Sequence, residues 1–315
     1  MTPLIGLKQT KPDPALLTSE QRAMGAYIGL AVGDALGATT EFLTPREIKE
    51  KHGVHDKIIG GGWLRLKAGR VTDDTEMSLA LGDSILDRQG VDAKAVAEAF
   101  SDWMRKKPVD IGNTVRRGIV HYRNSGETAV AVNEFDAGNG ACMRSLAIAL
   151  FYCDAPQRER FQALRTQSHI THNNPMADAG TETVVEMVVA AMKGWHKSRL
   201  QELAASLVSR FPLYRFDRRQ VENPSGYIVE TLQVVFQAFF AHESFEGILV
   251  DVVNRGGDAD TTGAIAGMLA GAYYGPNLIP MPWRKSLDIK VMQTCRDQAL
   301  ALLTSGKSKY PTPAQ

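Results

Sequence analysis

From Ser19 onward, apolar residues recur at three- and four-residue intervals along most of the chain, and sustained apolar–polar alternation is missing. The first run opens on Ser19-Glu20-Gln21-Arg22, a helix-start pattern, and ends at Gly37. It carries Gly25, Gly29, Gly33 and Gly37 at strict four-residue spacing, which puts them on one helix face where another backbone can approach closely. A second helical pattern follows residue 76 through Met77, Leu79, Ala80, Leu81, Ile85 and Leu86. Asp92 to Lys106 has apolar positions at 93, 96, 97, 100, 103 and 104, Pro108 stops it, and Val109 opens another helix through His121. Asn139–Tyr152, Gly180–Trp195, Leu200–Phe211, Tyr227–Phe240, Phe245–Val253, Ala264–Gly275 and Ser286–Leu303 continue the pattern. It predicts an all-α, single-domain fold over residues 19–304, with a proline-containing arm at 1–18 and a frayed Ser-, Lys- and Pro-rich tail at 305–315.

Polar residues concentrate at two predicted helix starts. Asn254 to Gly263 reads NRGGDADTTG, so Asp258, Asp260, Thr261 and Thr262 lie within five residues, just after Gly256 and Gly257 let the chain turn sharply. Val71 to Met77 reads VTDDTEM, placing Thr72, Asp73, Asp74 and Thr75 in the same syntax. A helix start needs one capping side chain, and adjacent carboxylates repel each other unless a cation lies between them. Two such clusters suggest a shared, oxygen-lined binuclear site for hard divalent cations. A calcium EF-hand loop fails at its twelfth position, where Leu269 stands in place of Glu.

Composition narrows the function classes. Lys and Arg total 36 and Asp and Glu 35, so the net charge of +1 gives no global field for nucleic acid or an anionic membrane. Three widely spaced cysteines, Cys142, Cys153 and Cys295, form no Cys-x-x-Cys pair and fit a reducing cytoplasm. The N-terminal MTPLIGLKQTKPDP lacks the continuous apolar core of a secretory signal, no run reaches the ~18 apolar residues a membrane span needs, and no heptad seam argues for obligate assembly; a monomeric cytoplasmic protein is expected. Gly60-Gly61-Gly62-Trp63 reads as a flexible surface turn leading towards the Thr72 cluster, and His55-Asp56 as a surface pair.

Four separated segments resemble the ADP-ribosylglycohydrolase family: GLAVGDALGATTEF at 29–42, VTDDTEM at 71–77, ITHNNP at 170–175 and GGDADTTGAIAGMLAGAYYG at 256–275. The stretches GGGWLRLKAGRVTDDTEMSLALG, PVDIGNTVRRGI and DAGNGACMR are similar to the branch that removes ADP-ribose from an arginine of dinitrogenase reductase, the nitrogenase iron protein. The resemblance implies a compact orthogonal helical bundle with two divalent ions, Mn²⁺ or Mg²⁺, held by Thr72, Asp73, Asp74, Asp258, Asp260 and Thr261. It implies catalytic roles for Asp110 and Glu41, and contacts to ADP-ribose from Asn113, Thr114, Glu134, His172 and Tyr227. Partners implied are the ADP-ribosylated target and, by analogy with the same branch, a PII-type nitrogen-signalling protein. Hydrolysis of another linkage, such as ADP-ribosyl-serine or O-acetyl-ADP-ribose, and a non-catalytic ADP-ribose reader are the alternatives; a reader has no need for both acid clusters.

Overall fold

A computed structural model describes residues 16–311. Along them run α1 (Ser19–Gly37), α2 (Pro45–His52), α3 (Asp73–Arg88), α4 (Ala93–Arg105), α5 (Asn113–Ser125), α6 (Leu146–Phe151), α7 (Gln157–Ser168), α8 (Pro175–Met192), α9 (Lys197–Arg210), α10 (Ile228–Ala241), α11 (Phe245–Asn254), α12 (Ala259–Tyr274), α13 (Met281–Ser286) and α14 (Ile289–Lys309). The described residues hold no strand, only two isolated bridges. The all-α expectation is met.

The glycine stripe of α1 finds its partner in α12, which carries a second stripe of Gly263, Gly267 and Gly271, with Gly275 at the helix end. The two helices lie antiparallel with their backbones in contact. A Cβ on Gly33 would stand 2.0 Å from the Gly263 carbonyl oxygen, one on Gly29 2.2 Å from that of Gly267, and one on Gly25 2.3 Å from that of Gly271. At one end of the seam the Arg22 guanidinium is buried and donates to the carbonyls of Ala272 and Tyr273 at 3.1 and 3.2 Å. At the other, Gly37 meets Ala259, so the end of α1 reaches the start of α12. Helix α14 packs along α1, helices α8, α10 and α11 along α12, and α3 pairs with α4 beside α14 and α6. Both seam helices are therefore buried nearly all round, which is why neither shows a strong amphipathic pattern.

Several helix boundaries depart from the periodicity. Asn139 to Ser145 form turns rather than the first half of a helix, because the Asn139 amide is drawn to Thr231 and Asp258 and the short α6 begins only at Leu146. Helix α8 starts at Pro175, five residues before Gly180, because Asn174 accepts from the N–H groups of Met176 and Ala177 and Pro occupies the first turn. The mainly polar α2 and α7 were not indicated by the apolar pattern. The predicted Ser286–Leu303 helix starts three residues late: Ser286 is the last residue of α13, and Asp288 caps the second helix, α14, which begins at Ile289. That second helix continues past Leu303 to Lys309: Gly306 lies against the Phe151 carbonyl, and the Tyr310 hydroxyl bonds Glu159 at 2.8 Å. Residues 305–309 are thus ordered helix. Residues 1–15 of the expected arm and 312–315 of the tail lie outside the described residues.

Candidate active site

The two acid clusters sit at the starts of α3 and α12, and their leading residues do not cap those helices. Thr72 and Asp258 occupy the N-cap positions, yet neither side chain bonds the following backbone N–H groups. Instead the clusters interleave. Thr72 Oγ1 lies 3.1 Å from Asp74 Oδ2 and 3.5 Å from Asp260 Oδ2, while Thr261 Oγ1 lies 3.4 Å from Asp74 Oδ2. Glu41, Asp258 and Asp260 each present a carboxylate oxygen within 4.8 Å of the others. Two helix N-termini face this group, and their partial positive charge favours anions there.

Glu41 reaches the group from the loop after α1. That loop is fastened to the Gly256-Gly257 turn by Phe42 N–H to the Gly257 carbonyl at 2.7 Å and Gly257 N–H to the Leu43 carbonyl at 3.0 Å. Both glycines have positive φ, 70° and 65°, and a Cβ on Gly256 would meet the Leu43 oxygen at 1.9 Å. The sharp turn predicted from these glycines is therefore also the clamp that holds the Glu41 loop.

Burial drives the electrostatics. Together with Asp110 and other carboxylates nearby, it pushes the carboxyls of Glu41 and Asp73 up to about 8. Burial likewise raises Asp74 and Asp260 well above the usual range, with Asp34 and Glu41 respectively as the strongest like charges. Asp258 and Asp110 are also raised, mainly by burial. Asp74 Oδ1 is buried and has no hydrogen-bond partner among the described residues, which is costly for a carboxylate. An all-oxygen set with an orphaned, mutually repelling carboxylate fits hard divalent cations.

Above the acids, a cleft of about 680 Å³ is lined by Glu41, Asp73, Asp110, Asn113, Thr114, His172, Asp258, Asp260 and Thr261, all foreseen from the sequence. Thr72 and Asp74 lie fully buried beneath it. Asp110 accepts from the Ile111 N–H at 2.8 Å, and Asn113 and Thr114 form the first turn of α5 at the cleft wall. Thr114 bonds Asp136 at 3.1 Å, and Arg117 pairs with Asp136 at 2.6 Å. Glu134 and Tyr227 are not among the lining residues. Glu134 is exposed on the loop between α5 and α6, and the Tyr227 hydroxyl is turned to Met176 Sδ at 3.1 Å.

Other parts of the site were not foreseen. Asp34, fully buried, accepts from the N–H groups of Thr72 and Thr75 at 3.0 and 3.2 Å and from Thr75 Oγ1 at 2.5 Å, and so shapes the start of α3 from behind. Burial raises it to about 6 against those hydrogen bonds. Asn139 donates to Asp258 Oδ2 at 2.6 Å and Thr231 Oγ1 at 2.9 Å. Its signal in the sequence was the stretch DAGNGACMR, where it stands between Gly138 and Gly140. The triple glycine is not a loose surface turn: all three residues have positive φ, and a Cβ on Gly62 would stand 2.2 Å from the Ala38 carbonyl oxygen. The turn packs on the end of α1 and carries Trp63 to the cleft. His55 is buried rather than a surface residue, with Nε2 2.9 Å from the Leu36 carbonyl.

Residues 15–310 match the family described as ADP-ribosylglycohydrolase. The chain is 48% identical over 282 residues to an ADP-ribosyl-[dinitrogen reductase] glycohydrolase of Rhodospirillum rubrum, covering 90% of this chain and 95% of the relative. It is 32% identical to ADP-ribosylarginine hydrolase Tri1 of Serratia proteamaculans, covering 89% and 81% of the two chains. A solved structure described as an ADP-ribosylglycohydrolase-related protein complex superposes with a TM-score of 0.81 at 34% identity, covering 91% of this chain and 99% of that one.

Proposed function

Because the chain belongs to the ADP-ribosylglycohydrolase family, we propose that it hydrolyses the bond between ADP-ribose and an arginine side chain of a target protein, and that the target is dinitrogenase reductase. The observation that carries the reading is the meeting of the two Asp/Thr clusters and Glu41 at the floor of one cleft. The name of the Serratia proteamaculans relative supports the arginine linkage, and that of the Rhodospirillum rubrum relative supports the target.

Thr72, Asp73, Asp74, Asp258, Asp260 and Thr261 would hold two divalent ions, Mn²⁺ or Mg²⁺. Such ions supply Lewis-acid charge and bring the pKa of water towards neutrality. The remaining work falls to the chain's own groups. Cleavage at ribose C1 develops oxocarbenium character, and the carboxylates of Asp110 and Glu41 at the cleft would stabilise that positive charge. Asp110 would also orient the departing guanidinium and exchange a proton at its nitrogen. Asn113 and Thr114 would bind the anionic diphosphate side of ADP-ribose at the positive end of α5. Asp34 and Asn139 hold the carboxylate clusters in shape.

The test is release of ADP-ribose from an arginine-ADP-ribosylated dinitrogenase reductase with Mn²⁺, with Mg²⁺ and with chelator, beside a serine-linked substrate and an Asp260→Ala variant. Metal-dependent cleavage of the arginine substrate, lost in the variant, is expected. Cleavage of the serine substrate alone would replace the linkage, and binding without cleavage would make the protein a reader.

A further inference from the structure

The segment DAGNGACMR ends in Arg144, which is fully buried and forms no ion pair among the described residues. Its guanidinium lies over the Phe100 ring, 4.4 Å from the centroid, and donates to Gln167 Oε1 at 2.8 Å, the Gln167 carbonyl at 3.1 Å and Thr171 Oγ1 at 2.8 Å. Burying a guanidinium without a carboxylate is expensive, so the contacts that keep it there need an account. The last of them leads to the cleft. Thr171 Oγ1 lies 2.7 Å from His172 Nδ1, and the Nε2 edge of that ring lines the cleft beside Gly138 and Gly140. A Cβ on Gly138 or Gly140 would come within 3.0 or 3.1 Å of Nε2.

Proton counting fixes the direction of this chain. Arginine has no acceptor, so one lone pair of Thr171 Oγ1 is taken by Arg144. The hydroxyl has one proton, and His172 Nδ1 is its only acceptor among the described residues. If His172 instead donated from Nδ1, the hydroxyl would accept twice and its buried proton would have no partner, an outcome folded proteins avoid. The guanidinium also polarises the hydroxyl as a donor. Nδ1 is therefore the acceptor, and Nε2 carries the proton. Nε2 has no hydrogen-bond partner among the described residues. Burial, with Arg144 and Arg117 nearby, pushes the imidazole down to about 3, consistent with a neutral ring.

We propose that Arg144 and Thr171 are positioning residues that lock His172 as the neutral Nε2–H tautomer, so that the cleft presents a directed hydrogen-bond donor to an acceptor oxygen of its ligand. Taking the cleft as the ADP-ribose site, as proposed above, that oxygen belongs to the diphosphate or a ribose. The relay makes His172 a donor in fixed orientation without adding a titrating charge beside the metal-binding acids.

The experiment reads the tautomer directly, by two-bond ¹H–¹⁵N correlation spectra of the full-length protein labelled at histidine, with His172→Gln assigning the signal. Wild type should show Nδ1 unprotonated and Nε2 protonated from pH 5 to 8. Thr171→Val should lose that single tautomer and raise KM for ADP-ribosylated protein about tenfold with kcat little changed, the pattern of lost uniform binding. Thr171→Ser should restore both readouts, which a purely structural role would not require. An Nδ1–H or doubly protonated His172 in wild type at pH 7 overturns the relay, as does a Thr171→Val protein whose tautomer is unchanged. The spectra do not depend on turnover: a wild-type protein with the stated tautomer that fails to cleave arginine-linked ADP-ribose supports the relay and removes the proposed substrate.

Discussion

The indole Nε1 of Trp63 donates to Glu41 Oε2 at 2.7 Å, joining a loop that precedes the first acid cluster to a carboxylate at the cleft floor. The Trp63 ring also stands beside Phe42, with centroids 5.4 Å apart. Glu41 thus has two restraints: its backbone neighbours are clamped to the Gly256-Gly257 turn, and its carboxylate is held by an indole. Trp63→Phe keeps an aromatic ring and removes the donor. Its kcat/KM for the ADP-ribosylated target should fall about tenfold, the scale of one hydrogen bond to a charged group. Trp63 is 54% exposed, so denaturation should show a stability change below about 0.5 kcal/mol.

Asp34 acts on the same floor from below. Asp34→Asn preserves its shape, yet turns a donor group towards the N–H and hydroxyl donors of Thr72 and Thr75. Mn²⁺ affinity measured by calorimetry should fall about 10–100-fold, as it does when groups that orient metal ligands are lost. Unchanged affinity would show that the start of α3 does not need this carboxylate.

The acid cluster predicts an inverted pH response of the metal-free protein. Glu41 and Asp73, raised from 4.5 and 3.8 to about 8, hold protons that the unfolded chain has already released between those values. The folded state therefore binds more protons in that window, and its stability falls as pH rises from about 4 to 8. Saturating Mn²⁺ should abolish the decline by replacing protons with a cation. Asp74→Asn, which removes a carboxylate whose Oδ1 has no partner among the described residues, should stabilise the metal-free protein by about 1 kcal/mol at pH 8 and lose most of the stabilisation by Mn²⁺. Thermal melts over a pH series, with and without the ion, read each of these effects.

The seam between α1 and α12 has no room for a methyl group. Gly33→Ala puts a Cβ 2.0 Å from the Gly263 carbonyl oxygen and should cost about 3 kcal/mol or prevent folding, because backbone has to move. Gly112→Ala, where the nearest atom is Val115 Cγ2 at 3.9 Å and φ is −60°, should leave the unfolding midpoint nearly unchanged.

What could be read beforehand was local. VTDDTEM and GGDADTTG each hold their carboxylates and hydroxyls within a few residues, so the chemistry of the floor was visible in two short strings. Their interleaving through Thr72, Asp74, Asp260 and Thr261 was suggested by their likeness and by the family resemblance, not by either string alone. The stripe on α1 stood out, whereas its partner was hidden in the small apolar run after Thr262 and looked like ordinary core. Asp34 could not be connected to its donors because they lie 38 and 41 residues away and are backbone groups for the most part. Asn139 to Ser145 looked helical because Ala141, Cys142 and Met143 are apolar, but the pull of Thr231 and Asp258 on Asn139 is a tertiary effect. His172 was expected to contact the ligand and lines the cleft, but which of its nitrogens is protonated could not be read from the sequence, since that depends on Arg144 meeting Thr171.

A seam that repeats every four residues can mesh in more than one phase. Sliding α12 by one repeat, about 6 Å along the axis, would set glycine against glycine again over most of its length. It would also carry Asp260 and Thr261 a full repeat away from Thr72 and Asp74. The glycines therefore supply nearness but leave the phase ambiguous, and the ambiguity is resolved at the ends: by Arg22 seated on the carbonyls of Ala272 and Tyr273, and by Gly37 abutting Ala259. In the alignment the structure shows, Arg22 meets those carbonyls at one end of the seam while the two distant strings of sequence come together as a single site at the other, so the whole length of the seam is read in one phase.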